Sequence, residues 1–203
     1  MRKFNLNIES YLQGNFELKD LNLAFIFQVN CPGCFIYGIP LVNELYSKNS
    51  INAGFIGIST AFEDFDYNTE LHTKNLLCDG TLIGETKKSY QENFGIERYN
   101  HKINFPVAYD KLKEPNQFLT ENNLTLICNS NPNYSIWPDW EKQVMRQKIK
   151  SYYYQFPKIA ETFTLNQLQG TPSFVFFNEK YDLVKTFFDY QELEILDAVL
   201  KKY

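Results

Sequence analysis

The sequence predicts an α/β fold in which helices flank a central mixed sheet, over 203 residues. Three observations carry that expectation. An apolar run, "LAFIFQV" (23–29), leads through Asn30 into "CPGC" (31–34) and on into a helix-like pattern. A second apolar run, "INAGFIGIST" (51–60), follows that helix. Strand, helix, strand in this order favours parallel pairing through a right-handed crossover. Near the end, "PSFVFFN" (172–178) and "LVKTFF" (183–188) flank a turn and read as an antiparallel hairpin.

Each element has its own signal. The 23–29 run is rich in strand formers and ends at Asn30. Beyond the cysteines, Cys34, Ile36, Tyr37, Pro40, Leu41, Leu45 and Tyr46 place apolar groups on one helical face to about residue 47. Pro40 removes a backbone donor and is expected to kink that helix. "EDFDYNTELHTKNLL" (63–77) reads as a helix capped by Asp66 or Asn68, with Gly80 after its end. A further helical piece, 85–94, stops at Gly95, and "INFPVAYD" (103–110) is a short strand. Residues 111–135, with Pro115, Pro132 and many Asn, read as polar and irregular, and 137–163 as a helix broken at Pro157. The tail closes as an amphipathic helix with Leu193, Leu196, Val199 and Leu200 on one face.

Length suits one domain, 1–203, carrying an insertion at 111–160. Hydrophobic residues at 44% and charged residues at 22% fit a packed core. A net charge of −4 argues against a general nucleic-acid surface. No segment approaches the ~20 apolar residues of a membrane span. The first residues hold two positive charges with no apolar run behind them, so they do not read as a secretory signal. The expected compartment is the cytoplasm, or the periplasm if a leader has been removed. In a reducing compartment a close cysteine pair points to catalysis or metal rather than to a staple.

The order strand, CPGC, helix, strand, helix, insertion, "GTPSFVFF", strand, helix resembles the thioredoxin superfamily, most closely its TlpA-like branch of thiol-disulfide oxidoreductases. Two motifs carry the likeness: Cys31-Pro32-Gly33-Cys34 between a strand and a helix, and Gly170-Thr171-Pro172 before the penultimate strand. "FIGISTAFED" (55–64) also looks like the family's second core strand and the loop after it. The likeness covers roughly 20–110 and 160–203 and leaves 111–160 unexplained. That segment is expected to be a largely helical insertion before the cis-proline strand.

The resemblance implies a thioredoxin-like fold with Cys31 and Cys34 as a redox-active disulfide, and no other cofactor. It implies a cis Thr171–Pro172 bond facing the pair, with Thr171, Pro172, Pro32 and Gly33 lining the substrate site. The Thr171 backbone would pair with the incoming chain as an added strand. Partners would be a protein or small-molecule thiol or disulfide, and an upstream reductant or oxidant. Three positions depart from the pattern. Asn30 stands where thioredoxins usually have Trp, and Phe25 where many have a buried Asp. Pro40 lies six residues after the second cysteine instead of five.

The chemistry needs unlike cysteines. A thiolate at Cys31 would sit in the positive field of a helix N-terminus. Cys34, one turn on, would be more buried and less ionised. Three other readings compete. A structural zinc site usually needs four Cys or His ligands, often as two close pairs; here Cys78 and Cys128 stand alone, and His72 and His101 are the only histidines. No metal is expected. A peroxiredoxin-like thiol peroxidase would carry Pro and Thr ahead of its cysteine, and "FQVNC" has neither. A partner-binding module would use 111–160, with Trp137 and Trp140 facing outward rather than packing onto the core.

Overall fold

The computed structural model describes residues 2–202. The strands are β1 (Ile8–Gln13), β2 (Leu21–Phe27), β3 (Gly54–Ser59), β4 (Val107–Asp110), β5 (Leu112–Lys113), β6 (Ile159–Ala160), β7 (Ser173–Asn178) and β8 (Leu183–Phe188). The helices are α1 (Ile39–Asn49), α2 (Glu70–Asp79), α3 (Gly84–Phe94), α4 (Pro115–Phe118), α5 (Glu121–Cys128), α6 (Asp139–Tyr153), α7 (Glu161–Leu165) and α8 (Leu193–Leu200). Six strands form one sheet in the order β1-β4-β3-β2-β7-β8. β2, β3 and β4 run parallel, while β1, β7 and β8 join antiparallel, so the sheet is mixed as expected.

β2 lies at the centre because all seven of its residues are buried, the pattern of a strand covered on both faces. Leu23, Phe25 and Phe27 point to one core, shared with Ile39, Val42 and Leu45 of α1 and Leu196 of α8. Ala24 and Ile26 point to the other, shared with Ile58, Val175 and Phe163. Phe25 pairs with Phe174 of β7 in register, their ring centroids 5.4 Å apart. The central strand thereby holds both cysteine-bearing and proline-bearing loops at one end of the sheet.

The chain does not pass from Cys34 straight into an α-helix. Cys34–Gly38 form a π-helical turn, and the Ile39 N–H donates to the Cys34 carbonyl five residues back. Pro40 has no N–H to continue the ladder, and the change from π to α spacing falls just before it. Where a kink was expected at Pro40, the structure places a π turn just ahead of it. Gly38 is required inside it, since a Cβ there would lie 2.9 Å from the Phe25 ring and 3.4 Å from Pro172.

Several boundaries differ from the sequence reading. α2 begins at Glu70, and its cap is Thr69, whose hydroxyl accepts the His72 N–H at 3.1 Å. Asn68 is not free to cap: its amide donates to the Glu63 carbonyl and its oxygen accepts the Asn30 N–H. Residues 111–135 are not irregular, for α5 forms behind a Thr120 cap. The helix read over 137–163 is broken as expected, though ahead of Pro157. α6 stops at Tyr153, Ile159–Ala160 pair with Leu112–Lys113, and α7 follows at once. β1 carried no clear sequence signal because it is an edge strand with no buried residue, mixing Ile8, Tyr11 and Leu12 with Glu9, Ser10 and Gln13. Trp140 does not pack onto the core; it is 65% exposed, while the Trp137 ring rests against Tyr134.

Candidate active site

Cys31 sits just ahead of the π turn and Cys34 is its first residue. The Cys34 N–H donates to the Cys31 carbonyl at 3.0 Å and lies 3.3 Å from the Cys31 sulfur. Cys31 is half-buried, whereas Cys34 is fully buried, and both are free cysteines. The two thiols consequently differ in acidity. Hydrogen bonding from the Cys34 thiol lowers Cys31 to about 7, assisted by Thr171 and the Cys34 amide and opposed by burial and the Glu63 charge. Burial, together with the bond to Cys31, pushes Cys34 well up. A thiolate thus forms first on the accessible sulfur.

The Thr171–Pro172 peptide is cis, and the Thr171 carbonyl accepts from the Cys31 sulfur at 3.5 Å. This loop is held from several sides. The Asp189 N–H donates to the Pro172 carbonyl, Ser173 Oγ donates to the Gly170 carbonyl, and the Phe188 ring covers Gly170. Pro32 and Gly33 complete the rim, half-buried. The Tyr37 hydroxyl lies over Gly33, so close that a Cβ there would be 2.7 Å from it, and donates to Asp189 at 2.6 Å. Burial, then that bond, raises the Tyr37 phenol above its ordinary value.

Two site residues escaped the sequence reading. Gln28 is buried; its Oε1 accepts the Thr171 hydroxyl at 3.1 Å and its Nε2 donates to the Glu63 carbonyl at 3.4 Å. Asn30, in the position where thioredoxins usually have Trp, joins three segments. Its backbone N–H reaches Asn68, its Nδ2 donates to Asp64 at 2.9 Å, and its Oδ1 accepts the Glu85 N–H at the start of α3. Phe25, where an acid is common, is buried apolar packing. A buried carboxylate does occur elsewhere. Asp110 bonds the Thr60 hydroxyl and the Thr162 and Phe163 amides, and burial raises it to about 6.

Cys78 is exposed and Cys128 is buried at the end of α5. Among the described residues, no group of three or more His, Cys, Asp or Glu is placed to hold a metal ion. Nor is any helix among them long and apolar enough to cross a membrane.

No protein-family model matches the chain, and no curated protein matches it by sequence. Solved structures do. A thioredoxin-like superfamily protein is 18% identical with a TM-score of 0.57, over 100% of this chain and 96% of that one. A thiol-disulfide isomerase from Corynebacterium glutamicum is 19% identical with a TM-score of 0.57, over 98% and 94%. The fold is thioredoxin-like. A thioredoxin-like protein solved in its oxidised form extends the likeness at 11% identity and a TM-score of 0.51, over 99% and 92%. Within this thioredoxin-like fold the CPGC turn and the Thr171–Pro172 loop face each other at the sheet end described above.

Proposed function

We propose that the protein is a thiol-disulfide oxidoreductase of the TlpA-like kind, with Cys31 as nucleophile and Cys34 as resolving thiol. The observation that carries this reading is the asymmetry of the pair: Cys31 accessible and acidified, Cys34 buried and held protonated, beside a backbone carbonyl at 3.5 Å. Thr171, Pro172, Pro32 and Gly33 border the sulfur and would orient the incoming disulfide.

The reaction runs in two exchanges. The Cys31 thiolate attacks one sulfur of the substrate disulfide, forming a mixed disulfide and releasing the other sulfur as a thiolate. Cys34 then loses its proton and attacks the Cys31 sulfur, closing the Cys31–Cys34 disulfide and freeing the second substrate thiolate. Two electrons pass from protein to substrate, and an upstream dithiol restores the pair. In reverse, the protein donates its disulfide. The reduction potential of the pair assigns the direction in the cell.

The test is trapping. Cys34→Ser should accumulate mixed disulfides with a disulfide substrate, and Cys31→Ser should accumulate none. Equal trapping by the two variants overturns the role assignment.

A further inference from the structure

Beside the cysteines lies a cleft of about 360 Å³ that the exchange chemistry does not use. Phe62 and Glu63, from the loop after β3, form one wall. Tyr152 and Phe156, at the end of α6, form another, with Phe163 of α7 at the base. Phe62 and Phe163 stack at 3.9 Å, giving the floor a rigid aromatic face. Tyr152 is 55% exposed, and its ring packs edge-on against Tyr153 and Phe156, each with centroids 5.1 Å away. The volume is at the low end of the ~300–1,000 Å³ range of small-molecule sites. It suits one or two side chains rather than a folded surface.

Two connections place the cleft next to the cysteine site. Gln169 lines it and precedes Thr171 by two residues, a span of at most about 7 Å of backbone. Glu63 lines it too, and its carbonyl is tied by Gln28 to the Thr171 hydroxyl. Its carboxylate is also near enough to act on the Cys31 thiol. Gln167, which also lines the cleft, holds a left-handed backbone with φ +52, a conformation few non-glycine residues adopt. A chain laid along Thr171 and Gly170 would reach the opening about three residues from its cysteine, at ~3.3 Å per residue.

We propose that this cleft receives an aromatic or large aliphatic side chain of a polypeptide substrate, a few residues from the cysteine that Cys31 attacks. The inference rests on the oxidoreductase reading and names its substrate class: extended, disulfide-bearing polypeptide with an apolar anchor, in preference to small thiols. Polar groups ring the opening, with Lys158, Glu63 and Gln169 available to the backbone around the anchor.

The experiment uses the full-length reduced protein and disulfide-linked dimers of eleven-residue peptides, each with a central cysteine. Phe is placed in turn at three to five residues on either side, against a Gly reference, and appearance of peptide thiol is timed. At one placement Phe should raise the rate constant about tenfold, about 1.4 kcal/mol. Tyr152→Ala, and separately Phe156→Ala, should bring the Phe-to-Gly ratio close to one. A ratio near one at every placement, or one that both variants leave intact, overturns the cleft assignment. If the folded protein cleaves neither peptide, the oxidoreductase reading itself fails, and the cleft assignment with it.

Discussion

Cys31 and Cys34 announce themselves in the sequence, but what tunes them does not. A helix-starting CPGC turn is a local pattern, and so is Gly170-Thr171-Pro172. Gln28 and Asn30 find their partners at Thr171, Glu63, Asp64, Asn68 and Glu85, far along the chain, and no spacing rule connects them. The consequence for reactivity is measurable. Alkylation of Cys31 should rise with pH to half its maximum near 7, while Cys34 stays unmodified. Folding should respond with matching sign. Because the folded thiol is more acidic than its ordinary value of 9.0, its stabilising contribution is present above that value. It is lost as pH falls through about 7. The stability of the reduced protein relative to Cys31→Ser should therefore increase between pH 7 and 9. Glu63 opposes this acidification through its charge, so Glu63→Gln should move the alkylation midpoint to lower pH. An unmoved or higher midpoint would show that the carboxylate does not act on the thiol.

Among the elements, the buried strands and the closing helix were legible because burial on both faces and a 3.6-residue stripe leave clear patterns. β1, the start of α2 and the β5–β6 ladder between α6 and α7 were not, although the break itself was read at Pro157. Each depends on a tertiary partner: β4 for β1, the Asn30 loop for Asn68, and the β5 ladder for β6. Asp110 belongs to the same class of hidden features. It looks like an ordinary strand-ending acid, yet it binds the first amides of α7 and the Thr60 hydroxyl. Asp110→Ala would leave three buried donors without an acceptor, and chemical denaturation should show a loss of about 1–3 kcal/mol. The wild-type advantage should also vary with pH. The folded carboxyl holds its proton to about 6, above the ~3.9 of an unperturbed Asp. Stability from this group is full below about 4 and declines as pH rises through about 6. A flat difference between wild type and Asp110→Ala over that window would contradict the burial argument.

At the scale of the whole molecule, a largely helical segment separates β4 from β7, which the sequence marked by the helical spacing of 139–156 and by its failure to match the surrounding pattern. Phe118, Ile127, Ile159 and Leu165 form a small core that holds α4, α5 and α7 together, with Ile149 and Tyr153 of α6 against it. We read the segment as an insertion within a single thioredoxin-like domain, bearing one wall of the cleft. Replacing 114–157 by a short linker preserves the β5–β6 pair. It should leave cleavage of a small aromatic disulfide reagent, followed by colour, within about twofold. The advantage of a Phe-bearing peptide should vanish. Retention of that advantage in a folded, shortened protein would remove the insertion from recognition.

The two-residue ladder between Leu112–Lys113 and Ile159–Ala160, a small sheet of its own, brings together the two ends of the segment we read as an insertion. Neighbouring strands lie ~4.8 Å apart, so the intervening chain is a cassette plugged into one socket. Loop closure grows only logarithmically, at about 0.6 kcal/mol for each doubling of length. Cassettes of very different length are thus interchangeable in that socket at little thermodynamic cost. Cys31, Cys34 and Thr171 lie outside it, so on the proposed reading a change of cassette would alter substrate preference and leave the exchange chemistry in place.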